Sequence, residues 1–453
     1  MEHWYDISSS PFKTHILKGL SDQPPFNEEE WNVVLRYAPR VRELSLHDDD
    51  LSVKILRSLW FRTTLLLPNL RKLRWVHEQQ TSVASIRWLL SPSLIHLDIR
   101  LGEEDDTSVL AFLESYHTLC PNLKTLYIDH SGRSPRMTAA ISRAIPRSPN
   151  LEALDCGHID EEGLIHVVES RALKKFSGDL TNHESDTLRR LAAYRTPNGL
   201  LFQNLRVLEL RVKDLSSITT YLRSEHQPFE DVTVDFDTDP TPKVVHEFLS
   251  ALCSATRCRT LQRVVLATNC LDESESSSQP VKFQVLSPLM IFNLRKLDIN
   301  IKNPITLNDE EIVRLVQAWP ELESFYLNPF AAWDYPPSLQ LPTLRGLLLL
   351  AQCPRMRDIG LCIDARNIPS LSEDESLIRN TAITNLMVAN SPIERPVTRV
   401  AHFLLEHFPS LVAVPGCPCI VGQMPYSWLW MKVDRMIKQA VGRGSLEWSE
   451  ETE

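Results

Sequence analysis

An eight-residue phrase recurs along the chain: a proline, any residue, an aliphatic, two variable residues, an apolar residue, one variable residue, an aliphatic. Its clearest copies occupy residues 39–46, 68–75, 92–99, 121–128, 149–156, 320–327 and 354–361. Copies without the proline are led by Leu205, Leu261, Leu294 and Ile383, and weaker ones by Leu173, Phe229 and Leu411. Successive leading aliphatics lie 22 to 34 residues apart, and 13 steps cover the 370 residues from Val41 to Leu411, about 28 per step. Within each copy the last two apolar residues alternate with variable ones. That period of two is the mark of a short strand with one buried face.

The residues between phrases carry a different period. Val53, Leu56, Leu59 and Trp60 fall at helical spacing, as do Val109, Phe112, Leu113 and Tyr116, and again Ile312, Leu315, Val316 and Trp319. Such segments end near the next proline, which lacks an amide donor and stops a helix. Asp309, Glu310 and Glu311, and also Glu161 and Glu162, stand where the helix dipole favours acids at a first turn. Strand, return helix and a period near 28 together make the leucine-rich-repeat pattern. The expected fold is an α/β leucine-rich-repeat solenoid, a horseshoe of about 14 repeats. Parallel strands line its concave face and helices its convex face, and each repeat buries its apolar side only against its neighbours.

The ends and gaps read differently. Residues 1–40 are expected to cap the array, with Trp31, Val34, Leu35 and Tyr37 on one helical face; residues 41–415 form the solenoid. Residues 416–453 supply a second cap, through Trp428, Trp430, Met431 and Val433, and an acidic tail. The stretch 272–280 is too polar for a core and reads as a loop. Residues 329–342, with Trp333 and Tyr335, read as an aromatic and proline-rich insertion.

Composition narrows the function. The chain has 453 residues, 43% of them hydrophobic, enough for a core. Only 13 glycines occur, which disfavours the glycine-rich loops that cradle nucleotide phosphates. A formal net charge of −10 argues against nucleic acid and anionic membranes as partners. Nine cysteines show no paired spacing, the residues after Met1 form no secretory leader, and the most apolar stretch, 347–351, is far too short to span a bilayer. A cytoplasmic or nuclear protein, monomeric outside its complex, is the expectation.

A search for chemistry is brief. Asp235, Asp237 and Asp239 begin like a calcium loop, but Pro240 stands where the loop needs glycine and His246 where it needs a bidentate glutamate. Cys417 and Cys419 form a short pair without a matching second pair for zinc. His402 and His407 lie five apart, off a common helical face. Asp129, His130 and Ser131 are hydrolase residue types in a row, whereas triad members converge from separate loops. No catalytic residue, metal ligand or cofactor is assigned, and an enzyme is not expected.

The phrase Cys-Pro-x-Leu/Met-x-x-Leu/Ile-x-Leu/Ile at residues 120–128 and 353–361, and the segment 31–44 with Trp31, Tyr37, Ala38, Val41, Arg42 and Leu44, resemble the leucine-rich repeats of fungal F-box-like proteins. Residues 343–365 resemble that family's later repeats, and the likeness covers roughly residues 31–415. Residues 1–40 correspond to the segment after the F-box; the box itself is missing or degenerate, since residues 1–25 lack its leucine–proline opening and apolar helix. The resemblance implies that the repeats hold a target protein for a ubiquitin ligase, whose Skp adaptor and cullin would be partners; a stand-alone repeat scaffold or sensor is the alternative. The target's contacts are expected at variable strand positions on the concave face: Arg74, His96, Asp98, Arg100, Tyr127, Asp129, Asp155, Glu209, Arg211, Asp298 and Tyr326.

Overall fold

The computed structural model describes residues 28–47, 65–76, 83–101, 107–130, 134–183, 190, 204–223, 227–256, 260–268, 279–329, 339–388, 390–415 and 426–443. The return segment at 53–60, the loop at 272–278, Trp333, Tyr335, Cys417, Cys419 and the acidic tail lie outside the described residues. The chain is an α/β protein whose thirteen long-sheet strands follow one another in chain order, with helices between them. It divides into two compact units, Met1–Leu210 and Arg211–Glu453.

The first unit holds β1 (Glu43–His47), β2 (Lys72–Val76), β3 (His96–Leu101), β4 (Thr125–His130), β5 (Ala153–His158) and β6 (Lys175–Asp179). Each pairs in parallel with the next. The division falls within β7 (Val207–Val212). The second unit holds β8 (Asp231–Phe236), β9 (Arg263–Thr268), β10 (Lys296–Asn300), β11 (Ser324–Leu327), β12 (Asp358–Leu361) and β13 (Asn385–Met387), again parallel to their neighbours.

The register keeps the phrase in phase. Leu44, Leu73, Leu97, Leu126, Leu154 and Phe176 stand opposite one another along the first unit. Val232, Val264, Leu297, Phe325, Ile359 and Leu386 do the same in the second. These side chains are buried, and each contributes about 1.5–3 kcal/mol relative to exposure. The next inward column of the first unit shrinks from Trp75 through Ile99, Ile128 and Cys156 to Gly178. At Gly178 the Phe176 ring takes the vacated space: a Cβ there would lie 2.7 Å from the ring's Cζ.

One hydrogen-bond arrangement recurs between successive strands of each unit up to β12; at β13 it is reduced to the single bond from Thr384 N to Arg357 O. The carbonyl one residue after a leading aliphatic accepts from two successive amides of the next copy. Arg42 O takes Arg71 N and Lys72 N, and Lys124 O takes Glu152 N and Ala153 N. Ile95, Glu152, Lys174, Glu230, Gln262, Arg295 and Glu323 occupy the same place in the series, each paired with a neighbouring copy. Beside this seam the residue before the aliphatic adds a staple. Asn69 Nδ2 donates to Pro39 O at 2.9 Å, Asn122 Nδ2 to Pro92 O at 2.9 Å, and Asn204 Nδ2 to Arg171 O at 2.8 Å. Ser93 Oγ reaches Pro68 O at 2.8 Å.

The helices follow their sequence signals. Thr107–Leu119 buries Val109, Phe112, Leu113 and Tyr116, and Glu161–Glu169 starts behind the Asp160 cap. Asp309–Ala318 opens with a capping box between Asn308 and Glu311 and buries Ile312 and Leu315. The terminal helices depart in part from expectation. In Glu28–Tyr37 Trp31 is buried, but Leu35 and Tyr37 are exposed. In Ser427–Arg443 Trp430 and Val433 are buried, whereas Trp428 and Met431 face solvent. In each case the exposed pair falls off the stripe that the helix turns inward.

Two predictions follow from these links. Asn380 is buried; its Nδ2 donates to Ala351 O and Cys353 O, and its Oδ1 accepts from Ala382 N and Ile383 N. Asn380→Ala strands several backbone groups and lowers stability by about 2–3 kcal/mol in urea titration, while Asn122→Ala, at an exposed staple, costs less than about 1 kcal/mol. Glu152 accepts from Lys124 Nζ at 2.7 Å and Lys174 Nζ at 2.6 Å, and those bonds hold its carboxyl at about 2. A lowered folded pKa stabilises above the ordinary carboxylate range and is lost as pH falls toward 2. Wild type therefore exceeds Glu152→Gln in thermal stability at pH 7, by about 0.2–1 kcal/mol for so exposed a pair, and the gap closes near pH 2.

Candidate protein-binding face

Alternation along each strand places the variable residues on the side opposite the core. β2, β3 and β4 show it plainly: Leu73, Leu97 and Leu126 are buried, whereas Arg74, Asp98 and Tyr127 are only half-buried. Parallel register then stacks these residues into columns: Arg74 beside Asp98, Asp98 beside Tyr127, Tyr127 beside Asp155, and Arg100 beside Asp129.

In the first unit these columns meet in an open depression of about 550 Å3, lined by His96, Asp98, Arg100, Tyr127, Asp129 and Asp155 together with Ile128, Cys156 and Gly157. Arg74 Nε stands 3.3 Å from Asp98 Oδ2, and Arg100 Nε stands 3.9 Å from Asp129 Oδ2. The His96 and Tyr127 rings are tilted, with centroids 5.3 Å apart. Lys175 Nζ donates to Glu209 Oε1 at 2.9 Å. Thus six of the expected contact residues line one depression, Arg74 adjoins it through Asp98, and Glu209 is linked to it through Lys175.

The electrostatics of this face follow from partial burial. Loss of water raises the carboxyl of Asp98 above its ordinary range, against the pull of Arg74 and Arg100. Burial likewise raises Asp155, opposed by the Ser177 hydrogen bond and Lys175 and reinforced by Glu209 and Asp129. Tyr127 is raised by burial and then by Asp155, Glu209 and Asp98, against Lys175. For Lys175 burial would lower the ammonium, but the bond and charge of Glu209 prevail and it is raised. These acids have already lost part of their hydration, so a donor from a partner would displace less water from them.

The remaining proposed residues lie in the second unit and do not share that depression. Arg211 donates to Asp237 Oδ1 at 3.1 Å. Asp298 is raised by burial and faces Lys296, 3.4 Å away. Tyr326 is pushed to about 12 by burial and accepts a hydrogen bond from Asn385 Nδ2 at 3.3 Å. Its ring lies against Gly360, where any Cβ would collide with it. The middle outward column here reads Thr233, Val265, Asp298, Tyr326 and Gly360, with far less charge than its counterpart in the first unit. Lys175 and Ser177 join this face through Glu209 and Asp155, partners on neighbouring copies that the local pattern does not show.

Other candidate chemistry disperses. Asp129 faces outward while His130 is buried on the other side of the strand. Asp237 pairs with Arg211, and Asp239 Oδ1 accepts from Lys302 N at 3.1 Å. Among the described residues no group of three or more His, Cys, Asp or Glu side chains could hold a metal ion. His407 is buried with Nδ1 2.7 Å from Ile378 O. Burial pushes the thiols of Cys120 to about 12 and Cys353 to about 11, so both stay protonated at neutral pH. Among the described residues no helix is long and apolar enough to cross a membrane.

A folded pKa raised by burial means that ionised Asp155 opposes folding. Asp155→Asn is therefore more thermally stable than wild type at pH 7, and the difference shrinks as pH falls below the ordinary aspartate range. No protein-family model and no curated protein matches this chain.

Proposed function

We propose that this chain is a protein-binding leucine-rich-repeat module of about 14 repeats. Its outward strand face, on the concave side of a horseshoe, holds a target protein. The observation that carries the reading is the depression lined by Asp98, Arg100, Tyr127, Asp129 and Asp155, where both charge signs and an aromatic ring converge on rigid strands. Arginine and tyrosine are among the side chains that contribute most at protein interfaces, and strands fix their backbone so that only side-chain freedom is lost on binding. The resemblance of residues 31–415 to fungal F-box-like proteins supports a specific setting, target recognition for a ubiquitin ligase. The alternative, a scaffold or sensor without a ligase role, shares the binding face but not the adaptor.

One pull-down from the native cell extract addresses both levels. Wild type should retain a discrete target protein, and Arg100→Ala with Tyr127→Ala should reduce its recovery at least about tenfold while the far-UV spectrum stays the same. Skp adaptor and cullin at near-stoichiometric amounts support the ligase setting. A target without the adaptor supports the scaffold. Equal recovery by wild type and variant contradicts the strand-face reading itself.

A further inference from the structure

The C-terminal helix Ser427–Arg443 buries Leu429, Trp430, Val433 and Ile437. Trp430 Nε1 donates to Ser391 O at 2.8 Å, and Asp434 Oδ1 accepts from Val414 N at 2.9 Å, so this face is anchored to the chain that precedes it. The opposite face has an unusual make-up. Trp428 is 42% exposed and Met431 48%, three residues apart and therefore adjacent on the helix, with exposed Arg435 one turn further. The Arg395 guanidinium lies 4.7 Å from the centroid of the Trp428 ring, and Lys432 Nζ lies 5.4 Å from it.

Among the described residues the cations on this face are left without acidic partners. Asp434, the one acid on the helix, receives Lys438 Nζ at 2.7 Å besides the Val414 amide. Glu394, beside Arg395 in sequence, acts on Arg366. Among the described residues Arg395, Lys432 and Arg435 form no ion pair. Three cations without an ion pair among the described residues, set around an exposed tryptophan and methionine, stand out in a chain of net charge −10. Tryptophan, methionine and arginine are the side chains enriched where proteins meet. Two of the cations stand within cation–π distance of the indole, which holds them beside it, and their N–H donors can still make charge-assisted bonds to carboxylates.

We propose that this face is a second docking surface, separate from the strand face, for an acidic segment of a partner protein. Its carboxylates pair with Arg395, Lys432 and Arg435, and an apolar side chain between them rests on Trp428 and Met431. The surface requires both elements: charge alone leaves the indole idle, and an apolar segment alone leaves three cations opposite nothing.

The test uses the full chain and fluorescence anisotropy of a labelled ten-residue peptide, glutamates flanking a central leucine–phenylalanine pair. A matched peptide with lysines in place of the glutamates is the control. The glutamate peptide should bind at least tenfold more tightly than the control. Trp428→Ala and the pair Lys432→Gln with Arg435→Gln should each weaken it at least fivefold, and 0.5 M salt should do likewise. Trp428 and Arg435 are exposed and Lys432 is half-buried, and an unchanged melting temperature verifies that the variants fold. Arg100→Ala with Tyr127→Ala should leave this binding intact, which separates it from the strand face. Equal affinity for both peptides, or affinity untouched by the substitutions, overturns the proposal. So does binding to phosphatidylserine vesicles in place of the peptide, or self-association that Trp428→Ala abolishes.

Discussion

A single carbonyl per copy carries the architecture. It lies one residue after the leading aliphatic and in most copies accepts two successive amides from the copy that follows, as at Arg42, Lys124 and Arg295. Parallel strands need such an acceptor at their start, because the chain arrives from a turn whose amides would otherwise be orphaned beside a core. Satisfying both amides at one oxygen sets the register, since a slip of one residue would leave a donor unmatched and turn the apolar set outward. The asparagine and serine staples beside it, from Asn69, Ser93, Asn122 and Asn204, hold the turns against each other at the same edge.

From that register the division of labour follows without further assumption. Residues in phase with Leu73 and Trp75 build the core; residues in phase with Arg74 and Tyr127 cannot enter it and are free to vary. Stacking then brings residues tens of positions apart within contact distance, so a binding face is assembled from single residues of many copies. In the first unit the middle outward column carries Arg74, Asp98, Tyr127 and Asp155; in the second the corresponding column carries Thr233, Val265, Asp298, Tyr326 and Gly360. Charge in that column is thus concentrated in the first unit, although both units carry ion pairs at other outward positions, as between Arg263 and Asp231.

Much of this was legible in the residues. Every leading aliphatic from Val41 to Leu411 stands just before a carbonyl or an amide of the seam, the weak copies at Leu173, Phe229 and Leu411 included. The outward residues were readable because period two leaves no ambiguity once the inward set is known. What was not legible lies where several elements must be known together. Leu35, Tyr37, Trp428 and Met431 are apolar and at helical spacing, yet which stripe of a terminal helix turns inward depends on its docking angle, which no local pattern encodes. Lys175 escaped because its role depends on Glu209, 34 residues away. The staples could have been found: an Asn, Ser or Thr before the aliphatic recurs in the phrase, and short polar side chains at a turn bond neighbouring backbone.

The central claim is that the outward strand face of the first unit is where a target protein sits. A photo-crosslinking residue, benzoylphenylalanine, placed at Asp129 on that face and separately at Ser115 on the helix Thr107–Leu119, tests it in native extract. A protein-binding strand face predicts a discrete adduct from position 129 and none from position 115. Adducts of equal yield from both positions, or only from the helix side, would contradict it.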